Sequence, residues 1–159
     1  MSEIEQIAGG LGGAGKRVAV VASRFNSRIA DRLVEGAVDC LLRHGVERGD
    51  LRVVRVPGAW ELPGAVDELA HAGGLDAVVV LGVVIRGETP HFDYVAGSAV
   101  RGIAHAARAH RLPVGFGLLT CDTSEQAEER AGGKAGNKGW DAALAALETA
   151  DLYARLRGR

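Results

Sequence analysis

Asp76-Ala77-Val78-Val79-Val80-Leu81-Gly82-Val83-Val84-Ile85 runs directly into Arg86-Gly87-Glu88-Thr89-Pro90-His91-Phe92-Asp93-Tyr94. The first half is a continuous apolar, largely β-branched run. Such a run suits a strand buried on both faces, as in a parallel sheet covered by helices. The second half turns polar at once. Thr89-Pro90 is a helix-start signal, because threonine accepts from orphan N–H groups and proline at the first helical position sacrifices no donor. The stretch therefore predicts strand, short glycine-containing loop, then a helix with His91 in its first turn. Unpaired N–H groups and the positive end of the helix dipole meet there, which suits a phosphate.

The same alternation extends outward in both directions. Arg17–Ser23 predicts a first strand, followed by the loop Arg24-Phe25-Asn26-Ser27. A helix follows, with Ile29, Leu33, Val34, Ala37, Val38, Leu41 and Leu42 on one face and Cys40 near the edge of that stripe, closed by Gly45. Leu51–Val56 predicts a second strand, and Pro57–Pro63 a stiff loop. Pro63 then opens a helix closed by Gly73-Gly74. The helix after His91 turns Phe92, Val95, Ala99, Ile103, Ala106 and Ala107 inward. Residues 113–120 hold a fourth strand, and Thr123-x-x-Gln126 is a capping box for a short helix ending near Arg130. Gly132–Gly139 breaks the chain before a last helix carrying Trp140, Leu144, Leu147 and Leu152.

The order βαβαβαβαα implies an α/β, flavodoxin-like three-layer sandwich, in which a four-stranded parallel sheet is flanked by helices. Residues 1–16 are glycine-rich and aperiodic, and are expected to form a flexible N-terminal arm; residues 17–159 form a single α/β domain. Gly10-x-Gly12-x-x-Gly15 resembles a dinucleotide fingerprint but precedes the first strand, where that motif cannot work.

Composition narrows the function. A chain of 159 residues that is 47% hydrophobic can bury a real core, and a net charge of −1 argues against nucleic acid as partner. No apolar run has transmembrane length and the N-terminus lacks a signal-peptide pattern, so no membrane association and a cytoplasmic location are expected. Cys40 and Cys121 have no metal spacing and are expected to be reduced thiols. No histidine–carboxylate pair has zinc spacing, so no metal is expected.

In open parallel sheets ligands bind at the carboxyl ends of the strands. The loops at those ends carry Phe25, Trp60-Glu61 and Glu88-Thr89-His91. Phe25 is either a plug over the sheet end or a stacking platform for a flat ring. Glu61 either satisfies a helix start or accepts hydrogen bonds from a polyol or amide. His91 is either a capping or solvated surface histidine or a side chain that exchanges protons with a bound ligand. Arg130, Lys134 and Lys138 are either a solvated face or a phosphate-pairing group.

Four segments together resemble lumazine synthase: Arg24-Phe25-Asn26, Pro57–Pro63, Leu81–Tyr94 and Arg130–Gly139. The resemblance covers nearly the whole chain, with these motifs in family order and spacing. The resemblance implies a transferase of riboflavin biosynthesis. It condenses 5-amino-6-(D-ribitylamino)uracil with 3,4-dihydroxy-2-butanone 4-phosphate to 6,7-dimethyl-8-ribityllumazine, with no cofactor and no metal. By resemblance, Phe25 stacks on the pyrimidine and Ala59, Trp60 and Glu61 hold the ribityl chain. Val83, Val84 and Ile85 contact the ring, Glu88 and Thr89 bind the phosphate through backbone N–H groups, and His91 transfers protons. Phe116 and Arg130 match positions that a neighbouring subunit contributes, with Arg130 pairing with the phosphate, and Lys138 matches a further position near the heterocycle. Trp60 replaces the phenylalanine of many members and keeps the aromatic face. The resemblance further implies a homopentamer. The compact link at residues 132–139 resembles members that build a sixty-subunit icosahedral shell of twelve pentamers, with riboflavin synthase as an expected partner. The competing reading is a non-catalytic flavin-binding module on the same flavodoxin-like architecture.

Overall fold

A computed structural model describes residues 3–158; Met1 and Ser2 of the expected arm and Arg159 lie outside the described residues. The sheet is built from β1 (Val18–Ser23), β2 (Leu51–Val56), β3 (Ala77–Ile85) and β4 (Val114–Cys121), all parallel, in the order β2-β1-β3-β4. The helices are α1 (Ser27–Arg43), α2 (Leu62–Ala72), α3 (His91–His110), α4 (Ser124–Arg130) and α5 (Lys138–Leu156). Between α4 and α5 the chain forms a small antiparallel pair, β5 (Ala131–Gly133) and β6 (Gly136–Asn137).

The central strands explain the layering. Every residue of β1 is buried, and β3 is buried from Ala77 through Val83. Alternation sends Val79, Leu81 and Val83 into a core shared with α1 and α5. Val78 and Val80 enter a second core shared with α2 and α3. Each fully buried valine or leucine contributes about 1.5–3 kcal/mol. The edge strand β2 is mostly exposed, and its Arg55 pairs with Asp31 of α1 at 2.8 Å.

α5 departs from the expected pattern. Its buried face is Gly139, Ala142, Ala143, Ala146, Leu147 and Ala150, whereas Trp140 and Leu144 pack only at its margin and Leu152 is half-buried. The small face lets the helix approach backbone to backbone. A side chain on Gly139 would collide with the Leu33 carbonyl of α1, and one on Gly115 of β4 with the Ala142 carbonyl. Asn137 fixes this contact. Its Oδ1 accepts the N–H groups of Gly139 at 2.8 Å and Trp140 at 3.2 Å, and its Nδ2 donates to the Arg32 carbonyl at 3.0 Å.

Two local expectations are corrected. α3 starts at His91, so Pro90 occupies the capping position and Thr89 is not the cap; its hydroxyl accepts the His91 N–H only at 3.4 Å. The Gly132–Gly139 break is a folded hairpin rather than plain loop, because the glycines permit the tight reversal between β5 and β6. The capping box at Thr123 and Gln126 forms as expected.

The described part of the arm has neither helix nor strand. Its Gly10 N–H donates to the Asp151 carboxylate of α5 at 2.6 Å, and its Gly13 N–H to the His44 carbonyl at 2.7 Å. The Gly10 bond, with Arg155 second, lowers the Asp151 pKa.

Asn137→Ala is expected to lower stability by about 1–2 kcal/mol, the scale of a lost helix cap, read from chemical denaturation. Because the Asp151 pKa is depressed on folding, the contribution of the Gly10–Asp151 tether is complete above the ordinary aspartate range of about pH 4. It is lost as pH falls through the folded value. Protection of the Gly10 amide, its exchange measured against the intrinsic rate at the same pH, is expected to be present at neutral pH and to be lost in strongly acid solution or in Asp151→Ala.

Candidate active site

The chain reverses its direction across the sheet between β1 and β3: β2 lies outside β1, and β4 lies outside β3. The loops leaving β1 and β3 diverge there and leave a crevice at the strand ends. Backbone bonds shape its walls. Arg24 N–H donates to the Val56 carbonyl at 2.8 Å and Phe25 N–H to the Pro57 carbonyl at 3.1 Å, which zips the β1 exit to the β2 exit. Asn26 then turns the chain into α1 from the left-handed region, φ 56° and ψ 48°. Asparagine reaches that region more readily than most residues.

The resulting cleft has a volume of about 530 Å³, within the range of small-molecule sites. Phe25, Ala59 and Trp60 line one side. Val83, Val84 and Ile85 form the floor, and Gly87, Thr89 and His91 line the other side. Phe25 is 69% exposed and Trp60 64%. At that exposure Phe25 is no plug over the sheet; its ring is free to stack. Ala59 is buried within a short 3-10 turn, Ala59–Glu61, and positions the tryptophan beside it.

Glu61 takes up the helix-start reading. One carboxylate oxygen, Oε2, accepts the Gly58 N–H at 2.9 Å and rigidifies the loop. The other oxygen makes no hydrogen bond among the described residues and remains available as an acceptor. Glu61 and Glu88 are both exposed beside the cleft rather than part of its lining. The imidazole of His91 makes no hydrogen bond among the described residues, while its backbone starts α3. Thr89 Oγ1 accepts the His91 N–H at 3.4 Å and the Pro90 carbonyl accepts the Asp93 N–H at 3.1 Å, and the positive end of the α3 dipole lies at this turn.

Three expected residues fall elsewhere. Phe116, Arg130 and Lys138 line a separate hollow of about 270 Å³ at the outer edge of β4, together with Thr120 and Cys121. None of them lines the cleft that holds His91. Phe116 is 49% exposed there, without a partner to cover it among the described residues. Arg130 is turned back along α4, where its Nη1 donates to the Gln126 carbonyl at 2.9 Å. Neither cysteine is poised as a thiolate. Burial, with Asp39 second, pushes the Cys40 thiol up to about 11, and burial raises Cys121 despite the nearby Arg130. Both thiols are free. His105 is exposed on α3, and His110 at the helix end sits 2.7 Å from Asp67 of α2, away from the cleft.

Sequence reasoning overlooked several residues at the site. Phe92, Tyr94 and Val95 of α3 also line the cleft. Val95 lies one helical turn after His91, a spacing that could have revealed it. Arg86 is held by Asp122 at 2.9 Å and Asp93 at 3.3 Å, and its guanidinium lies 4.5 Å from the centre of the Phe92 ring. The hydrogen bond it donates to Asp122 holds Arg86 above its ordinary pKa.

An α/β protein with an aromatic-walled cleft at its strand ends, an anion-compatible turn and a histidine is built to act on a flat polar ring and a phosphate. The profile of the 6,7-dimethyl-8-ribityllumazine synthase family matches residues 15–154. The chain is 54% identical to 6,7-dimethyl-8-ribityllumazine synthase of Aquifex aeolicus over 94% of its own length and 97% of the relative's. It is 56% identical to the enzyme of that name from Desulfovibrio desulfuricans, over 98% and 100% of the two lengths. For that of Chlorobaculum tepidum the identity is 51%, over 97% and 99%. The chain belongs to the 6,7-dimethyl-8-ribityllumazine synthase family. That membership does not favour a non-catalytic flavin-binding module.

Proposed function

We propose that the chain condenses 5-amino-6-(D-ribitylamino)uracil with 3,4-dihydroxy-2-butanone 4-phosphate to 6,7-dimethyl-8-ribityllumazine in riboflavin biosynthesis. One observation carries the reading: aromatic walls, an apolar strand-end floor, the Thr89 turn and His91 share one cleft. The primary amine attacks the ketone and water leaves as the Schiff base forms. Phosphate is then eliminated, and closure of the second ring expels another water. Each step moves a proton on or off nitrogen, carbon or oxygen, which suits one exposed imidazole beside the bound carbons.

The residue roles follow the same division of the cleft. Phe25 stacks on the pyrimidine, and Val83, Val84 and Ile85 support the ring. Ala59, Trp60 and the free oxygen of Glu61 hold the ribityl chain. Glu88 and Thr89 seat the phosphate at the start of α3, with His91 as the proton carrier. Phe116, Arg130 and Lys138 complete the cleft of a neighbouring subunit, with Arg130 pairing with the phosphate. Their separation from His91 within one chain supports that reading.

The unit of function is then a subunit pair within a homopentamer. The compact hairpin between α4 and α5 supports assembly of twelve pentamers into a shell, with riboflavin synthase as its partner. The outer edge of β2 pairs with no strand among the described residues, which supports docking of a neighbour's arm, residues 1–16, beside the catalytic body, residues 17–159. Free thiols at Cys40 and Cys121 support a cytoplasmic location. No helix among the described residues is long and apolar enough to cross a membrane.

Incubation with both substrates is expected to yield the lumazine together with phosphate; phosphate without lumazine, or neither, overturns the assignment. His91→Ala is expected to slow turnover by about tenfold to a hundredfold. Residual activity is expected because holding two reactive molecules together supplies much of the acceleration. Arg130→Ala is expected to raise KM for the butanone phosphate about tenfold, the scale of one lost charge-assisted contact. The native mass of the assembly checks the pentamer and the shell.

A further inference from the structure

We propose that Arg86 is a positioning residue that locks together the two part-sites carried by one chain; this rests on the function proposed above. Arg86 immediately follows β3. Its backbone N–H donates to the Cys121 carbonyl at 2.9 Å, extending the β3–β4 pairing by one step. With its backbone held, the side chain reaches two other segments. Nε–H donates to Asp122 at 2.9 Å and Nη1–H to Asp93 at 3.3 Å, and the guanidinium stacks over Phe92 at 4.5 Å.

Phe92 and Asp93 belong to the first turn of α3, next to His91. Asp122 leads into α4, and its N–H is held at 2.8 Å by the side chain of Gln126. The carbonyl of that same glutamine accepts from Arg130 at 2.9 Å. A continuous set of contacts therefore runs from the His91 turn through Arg86 to Asp122, Gln126 and Arg130. One end lies in the cleft the chain keeps, and the other in the group proposed to complete a neighbour's cleft.

Charge explains why an arginine is needed. Isolated exposed ion pairs contribute little. Here one planar, permanently charged fork spans two carboxylates and stacks on a ring, which lysine cannot reproduce. Without it, Asp93 and Asp122 would face each other unneutralised beside the seat of a phosphate. Two carboxylates and the Phe92 ring engage the guanidinium, so its role is to hold the seat in shape rather than to bind the phosphate.

Steady-state kinetics of the assembled enzyme test this. Arg86→Ala is expected to raise KM for the butanone phosphate about tenfold, and Arg86→Lys about threefold, while KM for the ribitylaminouracil stays within about twofold. The inference is overturned if both variants keep the wild-type KM for the phosphate substrate. It is equally overturned if Arg86→Lys restores it fully, or if both KM values rise together. Should Arg86→Ala fail to assemble, Asp122→Ala removes the acceptor of the same link at an exposed position; an unchanged KM there also overturns the inference. Wild-type protein serves as the control. If it makes no lumazine, the proposed function fails; if it does and the variants are silent, only the role of Arg86 fails.

Discussion

Burial of β3 on both faces is the constraint from which the rest follows. A strand with no solvent-facing side cannot carry polar chemistry along its length, so that chemistry collects where the strand ends. Val78 through Leu81 are fully buried, and five residues beyond Leu81 the backbone opens into Arg86, Gly87, Glu88 and Thr89, all exposed. The neighbours obey the same rule. β1 is apolar to Ala22 and then releases Phe25 into solvent, tied by two backbone bonds to the end of β2. Parallel pairing keeps these exits at one edge. The cleft is thus a consequence of the sheet rather than a separate construction.

Close packing sets the second constraint. Gly139 against the Leu33 carbonyl and Gly115 against the Ala142 carbonyl leave no room for adjustment between α1, α5 and β4. Asn137 holds the start of α5 in that contact and ends the β5–β6 hairpin. Lys138 is the next residue, and Arg130 stands at the other end of the same hairpin. The hollow that holds Phe116, Arg130 and Lys138 is therefore fixed by core packing on one side and by the Arg86 contacts on the other. A surface offered to a neighbour must be rigid before it is met, because ordering it on contact would weaken association.

The layers and the strand ends were legible in the sequence because their signals are local. A continuous apolar run, a glycine past a helix and a capping box each act within a few residues, and Gly45 and Thr123 behave as their types predict. Three features were hidden because their causes are distant or cooperative. The alanine face of α5 reads as weakly hydrophobic until its partner backbones are known. The β5–β6 hairpin has too few side chains to announce strands. The bond from Arg86 to Asp122 spans 36 residues, and nothing near either one signals the other. The helix start failed differently: Thr89 has the right residue type, yet α3 begins at His91, Pro90 takes the capping position, and the Thr89 hydroxyl reaches the His91 N–H only at 3.4 Å.

The cleft contains little machinery. It offers one histidine without a carboxylate partner among the described residues, no cluster of potential metal ligands among them, and no cysteine in its lining. Chemistry this sparse suits a reaction whose partners are already an amine, a ketone and a good leaving group. Such partners need alignment more than activation, and alignment is worth several orders of magnitude in effective concentration. The structure invests accordingly in rigidity: Glu61 braced on Gly58, Phe25 held by Pro57, Arg86 fastened to two aspartates. Bracing of this kind adds shape to the cleft without adding another reactive group.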